Sequence, residues 1–453
     1  MKQLKLLISL LLTCVVILGF APTASAFCGF YVAKADTKLY NKASQVVIAR
    51  DENKTVLTMA NDFQGEVKDF AIVVPVPTVL QKEQVRVAKP SIIERLDAFS
   101  APRLVEYFDS DPCADYDNIR RPLPMAAPRA GVQQLSEMAR DRNLGVTVEA
   151  RFNVGEYDIL ILSAKESGGL ETWLNRNGYK IPRGAKALLK PYIRQNMKFF
   201  VAKVNLDKFA TSGYQNLRPL QIAYESPKFM LPIRLGMINA TTEQDLIAYI
   251  LSPKGQAEVT NYRTVKVPSG NNIPVYVKQE FGDFYKSMFQ TSYLKEDRKV
   301  AFLEYAWDMG SCDPCSAEPL NNEELKDAGV FWLEKNPSGV APIPPGSFRR
   351  PPIVSNNVFI TRLHVRYTRD KFPEDLMFQT TANTENFQGR YVLQHPFTGE
   401  AKCSAAREYK RGLNKRYEQE AQTLAKLTNW NIQDIRRKMK LNGQAALSWW
   451  QRG

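Results

Sequence analysis

At 453 residues with a formal net charge of +14, the chain is long enough for roughly two or three domains and is distinctly basic. Its 44% hydrophobic and 24% charged residues are ordinary globular proportions, which exclude a disordered or low-complexity chain. The excess charge is local: residues 401–453 hold 12 Lys/Arg against only Glu408, Glu418, Glu420 and Asp434, so a general nucleic-acid-binding surface is not indicated.

The chain opens with Lys2 and Lys5, an apolar run from Leu6 to about Phe20, and Ala24-Ser25-Ala26. These are the three parts of a secretory signal peptide, so residues 1–26 are expected to be removed and the mature protein to begin at Phe27. The run is shorter than the roughly 20 residues that span a bilayer, and no later stretch is long and apolar enough to anchor the cleaved protein. The expected location is periplasmic or extracellular.

Gln45–Arg50 and Thr55–Ala60 flank a polar break of hairpin length and predict two strands. Asp69–Val76 predicts a third, ending at Pro75 or lying at a sheet edge, because proline donates nothing to a ladder. Ser91 and Glu94 have capping-box spacing and predict a helix toward Phe99. Pro102 predicts the first turn of another helix, through Val105 and Tyr107. Val146–Phe152 and Tyr157–Ile161 alternate as a hairpin, followed by helices over 170–177 and 184–196. Strands return at Lys198–Val204, Leu246–Leu251 and Val259–Val267. Asn336–Pro352 is proline-rich, Val358–Tyr367 is a strand, and about Ala405–Lys426 is a basic helix with a narrow apolar stripe.

The pattern is α+β rather than a doubly wound parallel sheet. It divides into the signal peptide (1–26), a β-rich domain (27–120), a linker (121–144), an α+β domain (145–335), a Pro-rich linker (336–355) and a carboxy-terminal region (356–453) with the basic helix, which reads as an appendage. Phe27-Cys28-Gly29-Phe30-Tyr31-Val32, the Asp69–Pro77 strand, Val154–Ile159, Trp173–Tyr179 and Leu231-Pro232-Ile233-Arg234-Leu235 occur in that order. On these landmarks, residues 27–330 resemble a bacterial family of exported proteins known as a domain of unknown function (family 2330). The resemblance implies a signal peptide and an envelope or extracellular location, and it carries no activity, cofactor or catalytic residue.

Five cysteines follow the signal peptide: Cys28, Cys113, Cys312, Cys315 and Cys403. In an oxidising compartment they read first as disulfides, and the odd number leaves one over. The preferred arrangement is Cys28–Cys113 and Cys312–Cys315, with Cys403 a free thiol. Cys312-Asp313-Pro314-Cys315 has the spacing of a redox pair, but Pro319 and Asn321-Asn322 interrupt the helix such chemistry needs, which favours a static bridge. The same pair with His395 and Cys403 has the donor types for zinc, at spacings that match no standard finger.

The two histidines, His364 and His395, limit acid–base chemistry. His364 lies between Arg362 and Arg366 on the strand face opposite Leu363 and Val365, a row that reads as a solvated face or as a contact for an anion. There is no nucleophile elbow, zinc-protease pair or phosphate-binding glycine loop. No metal or cofactor is expected. The leading reading is a non-catalytic binding or assembly protein of the bacterial envelope, meeting an anionic surface through residues 401–453. The alternatives are a thiol–disulfide protein using Cys312 and Cys315, and a carboxylate-based hydrolase with no residue to name.

Overall fold

The computed structural model describes residues 30–33, 40–41, 44–60, 63–64, 70–114, 146–177, 184–211, 217–238, 243–311, 313, 317–333 and 357–440. The signal peptide, both expected linkers, Cys28, Cys312 and Cys315 fall outside them. The fold is α+β, as the sequence pattern predicts, and one large sheet organises it.

Along its main path this sheet holds eight strands: β1 (Ser44–Asp51), β2 (Lys54–Ala60), β3 (Val85–Val87), β4 (Leu220–Glu225), β5 (Gln244–Ser252), β6 (Arg263–Lys266), β7 (Val300–Asp308) and β8 (Phe359–Tyr367). Their spatial order is β6-β7-β8-β5-β1-β2-β4-β3, and the short strand Phe387–Gln388 adds to β7. The strands come from all three stretches that sequence alone sets apart as domains. The carboxy-terminal stretch is therefore no appendage: β8 lies in the middle of the sheet, antiparallel to both β5 and β7. Long-range pairing of this kind leaves no local composition signal.

A second, five-stranded sheet runs Phe30–Ala33, Phe70–Val76, Lys198–Val204, Tyr157–Ala164 and Val146–Val154. Its inner face and one face of the large sheet bury a shared core that includes Ile72, Ile159, Phe200, Ile222, Leu246 and Leu363. The strand carrying Pro75 is paired on both sides through Val73, but Phe30–Ala33 stops there. Among the described residues no strand faces Pro75 on that side, so no donor is missed there. Residues 103–108 form a strand, not the predicted helix. They pair in parallel with Arg390–His395, so tertiary pairing overrides the local proline signal.

Four helices bear on the charged side chains of the molecule: α1 (Ser91–Ser100), α2 (Phe281–Lys295), α3 (Ser404–Thr428) and α4 (Ile432–Lys438). The first two cover the outer face of the large sheet. The carboxyl half of α3 docks on α2, placing Ala421 and Leu424 in a core with Phe284, Met288, Tyr391 and Leu393. Asn429, with φ +60°, ends α3 in the left-handed conformation that asparagine tolerates.

Candidate functional site

Strand alternation sends Arg362, His364 and Arg366 to one face of β8 and Leu363, Val365 and Tyr367 into the core on the other. The register sets Tyr249 of β5 beside Arg362 and Asp245 beside Arg366. On the other side, the pairing of β7 with β8 slips between Leu303 and Tyr305, and Glu304 is the extra residue of that bulge. A bulge re-aims a side chain, and here Glu304 points into the same row.

Glu304 is 1% exposed and accepts from Arg362 Nε at 2.6 Å, His364 Nδ1 at 2.7 Å and the Tyr285 hydroxyl. The opposite imidazole nitrogen, Nε2, lies 3.1 Å from Asp245 Oδ1, and Phe289 stacks on the ring at 3.9 Å. Asp245 also accepts from Arg366 Nε and Nη2, each at 2.8 Å. At the far end, Arg362 Nη1 donates to Asp97 of α1 at 2.6 Å, and the Tyr249 hydroxyl donates to the same carboxylate at 3.0 Å. Arg366 Nη1 completes the row by donating to Gln290 of α2.

Three carboxylates thus face two guanidiniums and one imidazole, and the row is neutral only when His364 is protonated. Burial by itself would lower the His364 pKa, but the charge of Glu304 and the hydrogen bonds that the ring donates to Asp245 and Glu304 outweigh it and raise it. Burial would likewise raise Glu304, yet His364 and Arg362 pull it down to about 2. Burial would raise Asp245 too, yet its hydrogen bonds with His364 and Arg366 hold it below the usual carboxylate range.

The expected anion-contact row is therefore corrected. Arg362 and His364 are buried and Arg366 is half-buried beneath α1 and α2, and the chain's own carboxylates pair all three. Both nitrogens of His364 are engaged, which leaves neither free to trade a proton with a bound molecule. Sequence reasoning missed Glu304, Asp245 and Asp97. The available signal was Glu304 standing alone in the apolar run Val300–Trp307, a position where a charge has to be paired.

The cysteine pairing is corrected too. Cys113 is bonded to Cys403 across 290 residues, with Cα atoms 5.9 Å apart. Cys403 is thus not the free thiol, Cys113 has no bond left for Cys28, and the zinc set that needed Cys403 is lost. His395 is held at 2.8 Å from Glu106 Oε2 and stacks on the 72% exposed ring of Phe108. Asp313, between Cys312 and Cys315, is buried and accepts from the Tyr305 hydroxyl and the Gln388 amide. Among the described residues no three His, Cys, Asp or Glu side chains cluster as a metal site.

Two cavities open elsewhere. One, about 540 Å³, is polar and lined by Gln256, Glu258, Tyr262, Arg263, Lys266 and Asn383. The other, about 180 Å³, is apolar and lies between the two sheets against Val76, Met197, Ile222 and Met230. Neither reaches Glu304 or His364. In the polar cleft, Arg263 is paired with Glu296, and Lys266 with Glu385 at 3.0 Å.

Unpaired charge is found instead on α3. Its inner side carries Ala406, Tyr409, Leu413, Arg416, Glu420, Ala421 and Leu424, half-buried or buried. Arg416 Nη1 reaches Asp109 at 2.6 Å, and Tyr409 donates to the same carboxylate. Arg407, Lys410, Arg411 and Lys415 are three or four apart, which puts them along one side of the helix, and all four are exposed. No ion pair engages these four among the described residues, whereas Arg436 and Lys438 of α4 are bound to Glu418 and Glu280. No helix among the described residues is long and apolar enough to cross a membrane.

Comparison with known proteins finds neither a curated protein nor a solved structure that matches the chain. A family profile does match, over residues 22–379, taking in both sheets except the short strand Phe387–Gln388, and the buried charge row, while α3 and α4 follow its end. With most of its length covered, the chain belongs to the bacterial family described as "Uncharacterized protein conserved in bacteria (DUF2330)".

Proposed function

We propose that this chain is an exported, non-catalytic binding or assembly protein of the bacterial envelope that meets an anionic surface through α3. The observation that carries the reading is the row Arg407, Lys410, Arg411 and Lys415, which is exposed and has no acidic partner among the described residues, on a helix fixed to the body. Cations near an anionic surface contribute about 1 kcal/mol each, so four supply enough for reversible, salt-sensitive attachment. The self-neutralised row around Glu304 supports the non-catalytic part of the reading, since its charges are spent on holding β5, β7 and β8 to two helices.

Removing everything after residue 356 does not isolate the helix, because that cut also deletes β8. Substitution does. Arg407→Gln, Lys410→Gln, Arg411→Gln and Lys415→Gln together are expected to lower co-sedimentation with phosphatidylglycerol vesicles at least tenfold in 0.1 M salt. Retention equal to the unmodified protein removes α3 from the account.

A further inference from the structure

The two halves of α3 are held by different means. The carboxyl half buries Ala421, Leu424 and Thr428 against α2 and packs with α4, an apolar dock. The amino half buries only Ala406 fully, with Tyr409 and Leu413 half-covered. It is held by polar ties that converge on one short segment, residues 109–113. The Asp109 carboxylate accepts from Tyr409 and from Arg416, and Cys113 is bonded to Cys403 at the residue that precedes the helix. Tyr409 also accepts from the backbone of Phe397 at 2.8 Å. Cys113 is exposed and Cys403 half-buried, which sets this bond at the surface rather than in the core.

We propose that Cys113–Cys403 is a redox-operated clasp on the basic helix. A reducing dithiol attacks one sulfur, forms a mixed disulfide, and leaves as its own cyclic disulfide. Cys113 and Cys403 each end as a thiol, so the two electrons and two protons all come from the dithiol. With the bond gone, the ties to Asp109 have to hold about three turns of helix without an apolar core beneath them, and the amino half of α3 detaches. The carboxyl half stays docked as a hinge. Release bares Tyr409 and Leu413 beside Arg407, Lys410, Arg411 and Lys415, which gives the freed segment an apolar and a cationic side for an anionic lipid interface. This regulation rests on the proposed function of α3, but the detachment itself does not.

Hydrogen exchange on the full chain tests the detachment, comparing the oxidised protein, the dithiothreitol-reduced protein and the Cys113→Ser/Cys403→Ser variant. The variant separates this bond from any effect of reductant on the other cysteines. Expected is at least tenfold faster exchange over residues 404–416 in both the reduced and the variant protein, with 418–428 unchanged. Unchanged exchange over 404–416, or equal acceleration along all of α3 and β8, overturns the clasp. Phosphatidylglycerol vesicles then test the regulation: the variant is expected to bind at least threefold more tightly than the oxidised protein. Equal or weaker binding by a variant that does detach overturns the regulatory step. Absence of binding by every form sinks the proposed function and leaves the exchange result standing.

Discussion

Arg362, His364 and Arg366 on β8 and Arg407, Lys410, Arg411 and Lys415 on α3 are both rows of cations at the spacing of their element, yet they meet opposite fates. On β8 a bulge at Glu304, a neighbouring strand with Asp245 and two covering helices enclose the row and answer each charge. On α3 Glu420 is buried beside Arg416 and Glu418 binds Arg436, while the exposed Glu408 forms no ion pair with the four cations among the described residues. A charge that folding has paired is part of the scaffold, and one left unpaired at the surface is available to a partner.

That contrast can be attacked from either side. The most drastic change is truncation after residue 356. It removes β8 from the middle of the large sheet and is expected to yield no soluble folded protein, as judged by circular dichroism and gel filtration. Next comes Glu304→Gln, which leaves Arg362 and His364 buried without their shared counter-charge. A loss of about 3–5 kcal/mol in urea unfolding is expected, and a loss below about 1 kcal/mol means the row is not holding the sheet to its helices.

Unfolding measured against pH probes the same row more gently. Glu304 has its pKa lowered to about 2, so its contribution is complete above the ordinary carboxylate range and fades as pH falls toward that value. The scale is about 3 kcal/mol. His364 has its pKa raised, so its contribution is complete below the ordinary histidine range and fades as pH climbs through the raised value. Stability should therefore peak between those ranges and decline on both sides. His364→Asn should remove the alkaline decline, and a decline that survives this substitution has another origin. The smallest effect belongs to α3. Replacing all four exposed cations by Gln should move urea stability by about 0.5 kcal/mol or less, because exposed positions away from caps and buried partners contribute little.

Much of the fold was legible locally. The hairpin Ser44–Ala60, the hairpin 146–164, β8 and α3 each carry a clean period, and their bounds fall within a few residues of the pattern. What could not be read was assembly. Nothing near Phe359 says that β8 will lie between β5 and β7, and nothing near Pro102 says that residues 103–108 will pair with a strand almost 290 positions away. The candidate site failed on the same ground. Alternation correctly placed His364 opposite Leu363 and Val365, but the helices that cover that face come from 91–100 and 281–295. The carboxylates that neutralise it are Asp97 of the first of these helices, Asp245 of β5 and Glu304 of β7. The disulfide could not be chosen from spacing either, since its partners lie 290 residues apart. The stripe on α3 was visible as composition, and the structure added which of its charges remain unpaired.

The most direct test reverses the charges that folding leaves open. A variant carrying Arg407→Glu, Lys410→Glu, Arg411→Glu and Lys415→Glu should melt within a few degrees of the unmodified protein and lose its binding to phosphatidylglycerol vesicles in 0.1 M salt. Binding at undiminished affinity with four acids on α3 would contradict the account.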